Sequence, residues 1–217
     1  TTKHALAAAA SIALLSACGG SGDGGAMDMQ MGPNPDFGKN YNPIAALGTN
    51  NWSTSDVVNA SGNFAWFANE IVGNNFTPTT QTDPSAVYNG SMTITRVVPT
   101  TNNLNGEVYY GRMQMDVNFA NSAVTGAVGN FGLITVTSTP GGALSNVSGS
   151  GTISGTLDTS GLIDSTMIGS LAGTAMTGNM TGEFFTHTDT GRELITGGGS
   201  ANIGSSQDAG VVFLLTK

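Results

Sequence analysis

The chain of 217 residues is long enough for one domain with a short appendage. Fourteen acidic against six basic side chains give a net charge of −8, which excludes a broad phosphate-binding face and nucleic acid as a partner. One Cys and two His exclude an internal disulfide and a Cys/His zinc cluster, while 32 Gly favour short strands and turns over long helices.

Lys3 and His4 precede an apolar run from Ala5 to Ala17, whose length suits a signal peptide and not a membrane span. The run ends Leu15-Ser16-Ala17-Cys18 before Gly19 and Gly20, the pattern of a bacterial lipobox, and the lone Cys falls where the acyl group attaches. Residues 1–17 are therefore expected to be a lipoprotein signal peptide, and Cys18 the lipidated residue that holds the protein to a membrane. Residues 18–43 read as that cysteine and a flexible linker: a Gly/Ser/Asp tether and then Pro33, Pro35 and Pro43. Inside it, Met27, Met29 and Met31 form a thioether set of the kind that selects Cu(I). The competing reading is alternating Met in a solvated segment.

Residues 44–85 are expected to be a small aromatic-rich segment packing on the main domain, with Trp52, Phe64, Trp66, Phe67 and Phe76. Ser55-Asp56 predicts the cap of a short helix running towards Asn69, and a strand over Asn63–Phe67 competes with it. The two tryptophans are expected to plug one end of the core.

From Ala86 the pattern changes to strands. Val87–Val98 opens the series, and Glu107–Phe119 alternates Met113, Met115, Val117 and Phe119 with Arg112, Gln114, Asp116 and Asn118, the mark of a half-buried antiparallel strand. Ala123–Phe131, Leu133–Thr137, Asn146–Leu157, Leu162–Leu171, Thr174–Phe185, Ile195–Ile203 and Ala209–Leu215 follow. Turn signals such as Thr159-Ser160-Gly161 and Asp189-Thr190-Gly191 separate them. A meander of this kind without intervening helices predicts an all-β fold in which about eight of these nine runs close as a single eight-stranded antiparallel up-and-down β-barrel over residues 86–217, because closure removes exposed edges. Glycines inside the strands are expected to relieve crowding in a tightly coiled barrel.

Four stretches carry a resemblance: Tyr88-Asn89-Gly90; Met115 to Ala120 followed by Val124-Thr125-Gly126; Gly178 to Phe185; and the ending from Gly197-Gly198-Gly199 to Val212-Phe213. In this order they resemble the β-barrel domain of the transferrin-binding protein B-like surface lipoproteins of bacteria. The resemblance implies the barrel, a lipid anchor in the outer membrane with a surface-exposed body, and non-catalytic binding of a host protein, an iron carrier or a haem source. Thr186-His187-Thr188-Asp189 departs from the family pattern, and 44–85 is too short to stand for the family's handle domain. Transferrin binding itself is therefore not carried over.

Catalysis is not expected: His187 is the sole His after the signal peptide, no G-x-S-x-G surrounds a serine, and the glycine runs do not join a strand to a helix. His187, Tyr109 and Tyr110 are the candidate ligand-binding residues, since His and Tyr are usual axial donors to haem. Strand alternation puts one of the two tyrosines inside and the other outside. The alternative function is a lipocalin-like small-ligand or copper carrier in the periplasm, with Met113, Met115, Met167, Met176 and Met180 lining a pocket. A monomer is expected.

Overall fold

The computed structural model describes residues 51–79, 83–99, 104–136, 143–205 and 208–217. The expected signal peptide, Cys18 and the expected linker with Met27, Met29 and Met31 lie outside the described residues. The elements are α1 (Thr54–Val72), β1 (Phe76–Pro78), β2 (Ser85–Pro99), β3 (Leu104–Asn118), β4 (Ala123–Val136), β5 (Leu144–Leu157), β6 (Ile163–Leu171), β7 (Thr174–His187), β8 (Glu193–Ile203) and β9 (Asp208–Thr216).

Strand alternation and closure account for the architecture. Each strand from β2 to β9 pairs antiparallel with the next, and β2 pairs with β9 (Thr93 opposite Val212), so the sheet closes. This is the eight-stranded up-and-down barrel expected from the meander. Side chains then alternate between two environments. Tyr88, Met92, Ile94, Met113, Met115, Ile163, Met167, Met176, Met180, Phe184 and Phe213 share one interior core. On the outside of β5, β6 and β7, Thr152, Ser154, Thr156, Thr166, Thr177, Asn179 and Thr181 face water. The methionines considered as a pocket lining are thus packed into the core, each at most 1% exposed.

The barrel is narrow, and glycines are where neighbouring chains come closest. A Cβ on Gly90 would overlap the Leu214 carbonyl oxygen, and one on Gly197 would overlap the Thr181 carbonyl oxygen and stand 2.5 Å from Phe213 Cζ. The interior is tight enough that Phe213 depends on the glycine beside it.

Two stretches differ from the sequence expectation. Ala123–Phe131 and Leu133–Thr137 are not separate strands: β4 runs from Ala123 to Val136 with a bulge at Gly129–Phe131, where Asn130 adopts φ 54. The bulge breaks the two-residue period and so reads as a strand end. In the second, the competing strand over Asn63–Phe67 gives way to helix. Ser53, not Ser55, caps α1 through a capping box with Asp56, and the helix extends past Asn69 to Val72. Its buried residues Val57, Ala60, Phe64 and Phe67 recur every three or four positions.

That face lies on the outside of the barrel. The first half of α1 packs with Trp52 on Val108 and Tyr110 of β3, and the second half on Leu194, Val212 and Leu214 of β8 and β9. β2 lies between β3 and β9 in the sheet, and its outward Ser91 and Thr93 are buried. Both tryptophans belong to these outer clusters and not to a plug at the end of the core, because the interior is already filled by strand side chains. Strand β1 adds a short ninth strand along β7, pairing Phe76 with His187.

Replacing Gly197 with Ala is expected to cost about 1–3 kcal/mol, the range for overfilling a packed core. Urea denaturation checks it, and an unchanged midpoint would mean that β7 and β8 do not approach so closely.

Candidate functional site

Three polar clusters outside the regular ladder contain the residues singled out from the sequence. The first sits at the start of α1. The Trp52 backbone N–H donates to Asn146 Oδ1 at 2.7 Å, and its indole N–H donates to the Asn130 carbonyl at the β4 bulge. Arg112 lies over the indole at 4.9 Å, Tyr110 leans on it at 5.7 Å, and Gly132 leaves the space in which its Cβ rests. The bulge thus turns out a carbonyl that the sheet does not use, and the tryptophan takes it. Asp56 links this clasp to the helix cap: it accepts from the Ser53 N–H at 2.9 Å and stands 3.6 Å from Arg112 Nη2. Partial burial acts to raise the Asp56 carboxyl, but hydrogen bonds from Ser53 and the nearby Arg112 guanidinium outweigh it and hold the group below its ordinary 3.8.

The second cluster is at the far end of α1. Thr190 N–H donates to His187 Nδ1 at 3.3 Å, which leaves the ring proton on Nε2, 3.3 Å from Glu70 Oε2. Asn75 Nδ2 donates to the same carboxylate oxygen at 2.6 Å. The imidazole stacks on Trp66 at 5.5 Å and meets Phe76 edge-on at 5.2 Å. Both ring nitrogens are therefore engaged, and an iron would have to displace Glu70 or Thr190 to reach one.

The third cluster is at the rim of the barrel where β2 and β3 extend past their neighbours. Tyr109 points inward, its hydroxyl donating to Glu107 Oε2 at 2.7 Å and accepting from Arg96 Nη2 at 3.2 Å, while Arg96 and Glu107 form an ion pair. Burial, with the hydrogen bond to Glu107, pushes the Tyr109 phenol up to about 12, so the phenolate that binds iron is disfavoured at neutral pH. Tyr110 points outward beneath α1 and meets Ser61 Oγ at 3.2 Å. His187 and Tyr110 thus lie at opposite ends of α1 on the outer wall and Tyr109 lies inside, and the structure does not bring the three together.

The clasp around Trp52 was not singled out from the sequence, although Ser53-Thr54-Ser55-Asp56 carries a capping-box spacing that marks where it begins. Among the described residues, no group of three or more His, Cys, Asp or Glu side chains is placed to hold a metal ion. What these arrangements do chemically is tie an outer helix to a barrel.

Trp52→Ala is expected to lose about 3–5 kcal/mol of stability, and Trp52→Phe, which keeps the ring but not the indole donor, about 1 kcal/mol. Denaturant titrations of both variants separate packing from the hydrogen bond. Because Asp56 is depressed in the folded state, its contribution is fully present above the unfolded value of 3.8 and is lost as pH falls through the lower folded value. Stability measured from about pH 5 to pH 2 should therefore fall less steeply in Asp56→Asn than in the parent chain.

Comparison with known proteins returns no match for the chain: no family model, no curated protein and no solved structure aligns with it.

Proposed function

We propose that this chain is a lipid-anchored protein of the bacterial cell envelope, held at Cys18 in the outer membrane, that binds a host protein or a haem or iron carrier without acting on it chemically. The observation that carries the reading is the filled interior. With Met92, Met113, Met115, Met167, Met176 and Phe213 at 0% exposure, the barrel serves as a rigid post, and a partner meets it on the outer wall and the rims. The same packing speaks against the small-ligand carrier, which needs an open interior.

The distribution of side chains supports anchoring by an acyl chain. A membrane-spanning barrel turns an apolar band outward and a polar lumen inward, whereas this one turns Thr, Ser and Asn outward on β5 to β7 and Met, Ile and Phe inward. Among the described residues, no helix is long and apolar enough to cross a membrane. The lipobox ending at Cys18 supplies the alternative means of attachment.

Expression in a bacterial host with labelled palmitate tests the reading. The label should enter the parent chain and vanish in Cys18→Ser, and protease added to intact cells should degrade the body. Failure of the label to attach would overturn the anchored reading. A saturable Soret band on titration with haem would instead favour a carrier.

A further inference from the structure

Charge on the barrel is unevenly placed. The rim closed by turns 119–122, 158–162 and 188–192 gathers Asp83, Asp158, Asp164, Glu183, Asp189 and Glu193. Among the described residues, the Lys and Arg side chains at that rim are Arg192 and Lys217. At the opposite rim Arg96 and Glu107 neutralise one another. A field of this shape draws cationic groups towards one end of the molecule.

A second observation lies beneath that rim. Tyr88 is 0% exposed, yet its hydroxyl has no hydrogen-bond partner among the described residues. Pairing of Asn89 with Thr216 sets Tyr88 beside Lys217, and the charges that act on its phenol are those of Glu193, Lys217 and Asp83. A buried hydroxyl without a protein partner is destabilising, and a donor brought to it would relieve that cost. Lys217 Nζ sits between Asp83 Oδ2 at 2.5 Å and Glu193 Oε2 at 2.8 Å. With Asp83 53% exposed and Lys217 34% exposed, that bridge is open to solvent and exchanges readily.

We propose that this rim is a docking site for a basic protein segment, whose arginine replaces the Lys217 ammonium between Asp83 and Glu193 and, with its wider fork of N–H groups, also donates to the Tyr88 hydroxyl. The proposal names the partner chemistry for the binding function above. It rests on the reading of the barrel as a binding post and does not depend on the lipid anchor.

The test uses the full chain and a fluorescent hexa-arginine peptide, with hexa-glutamate as the reference, followed by anisotropy at low salt and at about 0.15 M ionic strength. Hexa-arginine should bind and hexa-glutamate should not. The double substitution Asp83→Asn with Glu193→Gln should weaken binding about tenfold, whereas the charge-matched pair Asp164→Asn with Asp189→Asn should have a smaller effect. Lys217→Gln removes the internal competitor and should tighten binding about fivefold. Tyr88→Phe should weaken binding while leaving the denaturation midpoint unchanged or higher, since it deletes an unpaired hydroxyl. Equal losses in the two double variants would reduce the effect to diffuse attraction and overturn the site, as would unchanged binding in both Lys217→Gln and Tyr88→Phe. None of these results bears on whether labelled palmitate attaches to Cys18, so the two readings fail separately.

Discussion

Eight strands closed on themselves leave an interior so narrow that a large side chain on one strand needs the absence of one nearby. Phe213 stands against Gly197 and Gly182, and Phe131 against Gly111 and Gly149. This steric rule links the glycine content of the chain to its fold. Larger residues at those positions would force the ladders apart, and with them the hydrogen bonds that remove every edge between β2 and β9.

Once the interior is filled, further apolar residues have to be accommodated on the outside. Val108, Tyr110, Leu194, Val212 and Leu214 face outward on β3, β8 and β9 and form a surface that α1 covers. The cover is tied at both ends, by the Trp52 clasp near the β4 bulge and by Glu70 with His187 near β1. Each tie pairs an aromatic ring with a polar group that has few other choices, which gives the helix one register on the barrel.

How legible this was in the sequence follows from the range of each signal. The alternation in Glu107–Phe119 and the spaced turns are local patterns, and from them the meander and its closure could be read. That one of Tyr109 and Tyr110 lies inside and the other outside also followed from period two, and the structure puts Tyr109 inside. The β4 bulge was not legible, because an αL residue at Asn130 mimics a strand end over a few residues. Nor was the site of the tryptophans, since the partners of Trp52 stand 78 and 94 residues away in the chain. His187 read as a candidate donor from its side-chain chemistry alone, and it became engaged only when Glu70, 117 residues earlier, was folded against it. Long-range partners decide whether a polar residue is free, and pattern does not reveal them.

The position of the Trp52 clasp has a mechanical consequence. Among the described residues, the entry to α1 is held by two contacts to Asn146, one to Asn130 and the grip on a single indole. The barrel behind it is held by continuous ladders from β2 to β9. A helix held by one apolar face and a few polar contacts at its ends can therefore lift from the wall without opening a ladder, so the cover and the cylinder are separable units of stability.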